Sequence, residues 1–228
     1  METVTLEAID GAKIRAFVAR PEGPPRGCIV VVQEIFGVND HIRWVAAAQY
    51  AAAGYLAVAP AFFDRVDAGQ GAELGYTPDG LAAGRSRVEA LGLDAPLRDI
   101  RAAQQQVAMG LPTGVVGYCW GGSVAYLSAT RLGLPAVGYY GGRTAPYLHE
   151  RAQAPLMLHF GETDALIPME TVKRISRSQP DVACHVYPAG HGFNRHGHPD
   201  WHEDSAQTAL ARTLAFFAQH LTQDSQQP

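Results

Sequence analysis

Gly114-Val115-Val116-Gly117-Tyr118-Cys119-Trp120-Gly121-Gly122 is the stretch on which the fold turns: an apolar, β-branched run passes through Gly-x-Cys-x-Gly-Gly straight into a helical pattern. A junction of this kind, a nucleophile elbow, strains its central residue and needs small residues two positions to either side, because strand and helix pass close together there. Gly117 and Gly121 supply that clearance. A thiol at the apex would stand at the N-terminus of the following helix. There the unpaired N–H groups and the helix dipole favour a thiolate and any oxyanion formed beside it. A structural role fits the same residues, since free cysteine is among the most buried residue types. The partners of Cys119 elsewhere in the chain decide between the two.

Working outward, the chain opens with Thr3 to Ile9 and Lys13 to Ala19, two alternating segments joined by Asp10-Gly11, which predicts an antiparallel hairpin. Gly27 to Val32 is a continuous apolar run of the kind buried on both faces of a parallel sheet. Tyr55 to Ala59, Thr113 to Val116, Ala136 to Tyr140, Pro155 to Phe160 and Cys184 to Tyr187 repeat that character. Helical patterns fall between them at His41 to Ala53, Asp79 to Leu91, Ala95 to Met109, Gly122 to Arg131, Thr144 to Arg151, Met169 to Gln179 and Glu203 to Leu221. The alternation predicts an α/β fold: a mostly parallel central sheet of about eight strands with helices on both faces. The Gly- and Asp-rich stretch Phe62 to Pro78 is the one long irregular segment, expected to overhang the C-terminal ends of the strands, where such folds place their sites.

With 228 residues, 47% of them hydrophobic and 18% charged, the chain can bury a full core in one domain spanning 1–228. Residues 222–228 read as a polar, frayed tail. A net charge of −4 makes no case for nucleic acid or an anionic membrane surface, so a small-molecule partner is expected. Cys28, Cys119 and Cys184 are too few and too widely spaced for a disulfide framework or a clustered metal site. They suit a reducing cytoplasm. The N-terminus lacks the pattern of a signal peptide, and no apolar run approaches the length of a membrane span. The sequence leaves the oligomeric state open, a monomer included.

An elbow nucleophile needs a base within hydrogen-bond reach and a third group to orient that base, in the chain order nucleophile, acid, histidine. After the strand ending at Phe160 comes Gly161-Glu162-Thr163-Asp164, and after the next strand Gly190-His191-Gly192-Phe193. An isolated loop aspartate is usually a cap and a lone loop histidine a surface residue. Cys119, Asp164 and His191 together nevertheless occupy the order and strand-end positions that one architecture demands. The oxyanion donors expected with them are the backbone N–H groups of Trp120, which follows the nucleophile, and of Ile35.

The chain resembles the dienelactone hydrolase family of α/β-hydrolases. The matching stretches are Gln33-Glu34-Ile35-Phe36-Gly37, Gly117-Tyr118-Cys119-Trp120-Gly121-Gly122, Tyr139-Tyr140-Gly141, Gly161-Glu162-Thr163-Asp164 and Gly190-His191-Gly192-Phe193. The resemblance implies Cys119 as nucleophile, His191 as base and Asp164 as its orienting group, and it implies that Glu34 assists formation of the thiolate. Arg195 matches the arginine that contacts the substrate carboxylate in the family. A second family arginine is followed four residues later by tyrosine, and here the pattern departs: Glu89 follows Arg85 at that spacing and Leu91 follows Arg87. Arg85, Arg87 and Tyr76 stay as candidates for a reworked pocket. Phe36, Trp120, Tyr139 and Tyr140 flank the site positions and suit either a pocket lining or the core, with Phe36 and Tyr139 retained as substrate-binding candidates.

The histidine-rich segment from His191 to Asp204 fits no standard zinc spacing, and neither metal nor cofactor is implied. Three functions stay open on sequence: a hydrolase that opens enol-lactones through an acyl-thioester, a broader carboxylesterase or thioesterase with the same triad, and a binding or sensing protein that keeps the pocket without turnover.

Overall fold

The computed structural model describes residues 1–67 and 71–222; the expected tail, apart from Thr222, lies outside the described residues. Eight strands form one sheet: β1 (Glu2–Glu7), β2 (Lys13–Ala19), β3 (Cys28–Val32), β4 (Leu56–Pro60), β5 (Thr113–Tyr118), β6 (Ala136–Tyr139), β7 (Leu156–Gly161) and β8 (Ala183–Tyr187). Their spatial order is β1-β2-β4-β3-β5-β6-β7-β8. The expected hairpin forms, with Leu6 opposite Ile14, and β2 runs antiparallel to both β1 and β4. All pairings from β4 to β8 are parallel. At Asp10-Gly11 the chain turns through a glycine with φ of +79° while the Asp10 carboxylate accepts the Ala12 N–H at 3.3 Å. Only a residue without Cβ adopts that turn freely.

Burial follows the apolar runs. Every residue of β3, β4, β5 and β6 is buried, as expected for strands covered on both faces, whereas β8 at the sheet edge is exposed at Ala183 and Val186 and buried only at Tyr187. The helices are α1 (Asp40–Trp44), α2 (Pro78–Leu91), α3 (Asp94–Ala103), α4 (Trp120–Leu127), α5 (Met169–Ser178) and α6 (Glu203–His220). Asn39 caps α1 by accepting the Ile42 N–H, and Thr77 caps α2 by accepting that of Gly80, ahead of Pro78 in the first turn, where a missing N–H costs nothing.

Four expected helices differ; those over Ala95 to Met109 and Gly122 to Arg131 are α-helical only to Ala103 and Leu127 and continue as π-helices over Gln104–Ala108 and Ser128–Leu132. The one predicted over His41 to Ala53 is α-helical only to Trp44 and continues as a π-helix over Val45–Ala51. The one predicted over Thr144 to Arg151 is instead a kinked 3₁₀ segment, Gly142–Tyr147. The backbone leaves helical angles at Arg143 (φ −93°, ψ 19°), which splits the segment. Among the described residues no helix is long and apolar enough to cross a membrane.

The segment after β4 does overhang the strand ends. Asp64 accepts the Arg15 guanidinium and the Gly71 N–H, Arg87 donates to Asp67 at 2.8 Å, and the Leu74 N–H bonds the Phe36 carbonyl at 2.8 Å. Tyr76 is thereby carried over the loop that follows β3.

Candidate active site

Because β3, β5, β6, β7 and β8 are parallel, the residues just past their C-terminal ends collect at one edge of the sheet. Cys119 sits between β5 and α4 with φ +55° and ψ −116°, the left-handed region that a residue with a Cβ avoids. Such strain costs on the order of 1–3 kcal/mol and persists only where the surroundings enforce it. They do so here. The Cys119 N–H bonds the Tyr139 carbonyl at 3.0 Å, and its own carbonyl accepts the Gly122 N–H at 3.0 Å. A Cβ at Gly117 would collide with the Gly121 carbonyl, and one at Gly122 would come within 2.5 Å of the Tyr139 carbonyl. Strand and helix can cross this closely only with glycine at those points.

His191, in the loop after β8, donates from Nδ1 to Asp164 Oδ2 at 2.8 Å. The other oxygen of Asp164 accepts the N–H groups of Leu166 and Ile167 at 2.8 and 3.1 Å, which fixes the carboxylate before it fixes the ring. The imidazole Nε2 is buried and completes no hydrogen bond among the described residues. Burial works to lower the His191 pKa, but Asp164 and Cys119 beside the ring outweigh it and raise the value to about 10. Neither Cys28 nor Cys184 lines the cleft, and burial pushes their thiols up to about 12 and about 11.

Glu34, past the end of β3, is fully buried. Arg195 donates from Nε to both of its oxygens, at 2.9 and 3.1 Å, and the Tyr76 hydroxyl donates to Oε2 at 2.9 Å. Burial alone would raise the Glu34 pKa; Arg195, followed by His41 and Tyr76, holds it below the ordinary glutamate value. Arg195 also donates from Nη1 to Asp200 at 2.7 Å, and its guanidinium lies over the rings of Tyr76 and Phe36 at 5.0 and 5.7 Å. Among the described residues Glu34 bonds neither Cys119 nor His191.

These groups border a cleft of about 1020 Å³. Of the residues singled out in the sequence, Ile35, Phe36, Tyr76, Arg85, Cys119, Trp120, His191 and Arg195 line it, with Glu34 and Asp164 bonded to lining residues. Trp120 opens α4, so its N–H is one of the unpaired donors of a helix start, and the N–H of Ile35 has no acceptor among the described residues.

Two candidates lie elsewhere. Tyr139 does not line the cleft: it is fully buried in β6, with its hydroxyl on Thr213 at 2.7 Å. Its neighbour Tyr140 takes that place, with φ of +40° and its ring centroid 5.0 Å from that of His191. Arg87 is engaged by Asp67 and also lies outside the lining. Sequence reading passed over Arg143 and Asp200, and left Tyr140 between pocket lining and core. The pairing of β5 with β6, which sets Tyr118 opposite Tyr139, puts Tyr140 level with Cys119, but nothing in the local pattern marks a left-handed tyrosine.

Comparison with known proteins comes to the same place. Residues 14–221 match the profile of the "Dienelactone hydrolase family". The chain is 34% identical to the "Putative carboxymethylenebutenolidase" of Azospirillum brasilense, covering 97% of this chain and 100% of that one. It is 31% identical to the "Carboxymethylenebutenolidase" of Pseudomonas sp. (strain P51), covering 93% of each. A crystal structure of a "Putative Dienelactone Hydrolase" from Klebsiella pneumoniae superposes with a TM-score of 0.81 at 29% identity, covering 96% of this chain and 100% of that one.

Proposed function

The chain belongs to the dienelactone hydrolase family and is an ester-hydrolysing enzyme acting on a small-molecule ester; on that premise we propose that it opens enol-lactones through Cys119 and an acyl-thioester. The observation that carries the proposal is the meeting, at one sheet edge, of a cysteine in a strained elbow with a histidine already oriented by a fixed aspartate.

His191, oriented by Asp164, lines the cleft with Cys119, and the thiolate formed by transfer of the thiol proton to the imidazole is the attacking species. Attack forms the C–S bond, and the carbonyl oxygen takes up the negative charge between the N–H groups of Trp120 and Ile35. Each such donor is worth about 3 kcal/mol in the transition state. Collapse breaks the ring C–O bond. The departing enolate oxygen receives the proton from His191 and stays tethered to the acyl chain. His191, now neutral, takes a proton from water as the water attacks the thioester, and the second collapse returns Cys119 as thiolate with the imidazolium beside it. Asp164 keeps Nδ1 protonated, so that Nε2 is the atom that exchanges protons. Glu34, bonded to Arg195 and Tyr76, takes the assisting role in thiolate formation that the family resemblance implies.

A broader carboxylesterase or thioesterase would use the same groups, and the engagement of Arg195 by Glu34 and Asp200 favours weighing it as the second reading. A pure binder has no use for an oriented base. The test is single-turnover kinetics with 4-nitrophenyl acetate and a carboxylated dienelactone. A burst stoichiometric with enzyme, abolished in Cys119→Ala, is expected. Turnover of the lactone by Cys119→Ala above the uncatalysed rate would refute the nucleophile.

A further inference from the structure

Away from the cleft lining, side chains of β6, β7, β8 and α6 meet in a buried polar network that the proposed reaction does not use. His159 is its centre. Fully buried in β7, it stands 2.8 Å from the Tyr187 hydroxyl at Nδ1 and 3.1 Å from Thr213 Oγ1 at Nε2. Thr213 Oγ1 lies 2.7 Å from the Tyr139 hydroxyl, and Arg212, at the exposed end of the network, donates from Nη1 to the Tyr187 hydroxyl at 3.0 Å. None of His159, Thr213, Tyr139 and Tyr187 lines the cleft.

The proton positions follow from the arginine end. Burial, with His185 and Arg212 adding to it, holds the His159 pKa well below the ordinary histidine value, so the ring is neutral, with one donor and one acceptor. Arginine only donates, so the Tyr187 oxygen accepts from Arg212, and the one acceptor near enough for the Tyr187 proton among the described residues is His159 Nδ1. The imidazole proton is then on Nε2. It goes to Thr213 Oγ1, which shares a further proton with the Tyr139 hydroxyl.

Each strand residue of the network also holds part of the site through its backbone. The Tyr139 carbonyl accepts the Cys119 N–H at 3.0 Å, and the His159 carbonyl accepts at 2.7 Å the N–H of Tyr140, whose ring packs on His191. The Tyr187 carbonyl accepts the N–H groups of Glu162 and Ala189 at 2.8 and 2.7 Å, and the Ala189 carbonyl accepts that of Thr163 at 3.1 Å. Those bonds join the segments that run into Asp164 and His191. An apolar filling would also bind these strands to α6, but a buried network in which every member finds a partner specifies one arrangement.

We propose that His159 is a positioning residue of the site: as the Nε2-protonated tautomer it clamps Tyr187 to Thr213, and through Thr213 to Tyr139, and so fixes the ends of β6, β7 and β8 where Cys119, Asp164 and His191 meet. The assignment rests on the reading of Cys119 as a nucleophile served by His191. It adds that a group outside the cleft sets their geometry, where a misplacement of about 1 Å costs on the order of 100-fold in rate.

The test uses the full chain and stopped-flow bursts with 4-nitrophenyl acetate on wild type, His159→Phe, His159→Gln, Thr213→Val and Ile14→Ala, the last a stability control in the hairpin. His159→Phe keeps a ring and breaks both bonds. It is expected to lower the acylation rate about tenfold while the substrate Kd stays nearly constant. His159→Gln, which keeps a donor for Thr213, should recover part of the loss, and His159→Phe combined with Thr213→Val should cost no more than the worse single variant. Nitrogen-15 spectra of histidine-labelled wild type should show His159 neutral and protonated at Nε2. A proton on Nδ1 would overturn the clamp. So would an acylation rate unchanged in His159→Phe and Thr213→Val, or one lowered as much by Ile14→Ala at an equal loss of thermal midpoint. Should His159→Phe fail to fold, Thr213→Val and the tautomer still decide. Alkylation of Cys119 by iodoacetamide, followed by peptide mass, needs no turnover and separates the two failures. Without a Cys119-dependent burst the hydrolase reading fails; an alkylation rate that still falls in the His159 and Thr213 variants then keeps the positioning role, and one that does not move overturns it.

Discussion

Arg195 Nε donates to both oxygens of Glu34, at 2.9 and 3.1 Å, across a sequence separation of 161 residues. Both side chains are nearly inaccessible, at 9% and 1%, so the pair ties the loop after β8 to the loop after β3 at the cleft that Arg195 and Cys119 both line. Two charges in such a position cost desolvation that is offset only while both are present.

Arg195→Gln should therefore strand a buried carboxylate and lower stability by about 3–5 kcal/mol in urea unfolding. Glu34→Gln combined with Arg195→Gln removes the stranded charge and should lose less than the arginine variant alone. A double variant as unstable as the sum of the singles would mean that the two residues do not act as a pair.

The His191–Asp164 contact sets a pH window. His191 has a raised folded pKa, about 10 against an ordinary 6.5, so its favourable contribution is complete below about pH 6.5 and is lost as pH rises through about 10. If the imidazolium supports the attacking thiolate, the acylation rate should hold through neutral pH and fall near pH 10. Asp164→Asn removes one of the two influences that raise the pKa, and its falling limb should move to lower pH. Pre-steady-state bursts measured across pH 6 to 11 check this, and an unmoved limb would separate Asp164 from the titration.

At the elbow, Gly117→Ala puts a methyl group into the Gly121 carbonyl, and neither side can yield because both belong to backbone. A loss of about 3 kcal/mol or failure to fold is expected, read from the thermal midpoint and soluble yield. Gly23→Ala, where a Cβ meets nothing within 4 Å, is the control and should stay within about 0.5 kcal/mol of wild type. Equal effects at the two glycines would remove the steric account of the elbow.

Much of the site could be read from local pattern because its members sit at strand ends, and strand ends are marked by where apolar runs stop. Cys119, Asp164 and His191 all follow such runs. Tyr139 and Tyr140 show where local pattern stops. Two adjacent tyrosines at the end of one strand look alike in sequence, yet one is bonded to Thr213 on α6 and the other, turned by a left-handed φ, lies against His191.

Periodicity, β-branched runs and closely spaced glycines set the parallel sheet and the turn at Cys119, because each depends on steric rules that act within a few residues. The partners of charged side chains were decided only by the tertiary structure. Arg195 meets Glu34 and Asp200 and Arg87 meets Asp67, whereas among the described residues Arg85 and Arg143 pair with no carboxylate. Ion pairing depends on distances set by how separate strands and loops pack, and those distances have no counterpart in local spacing.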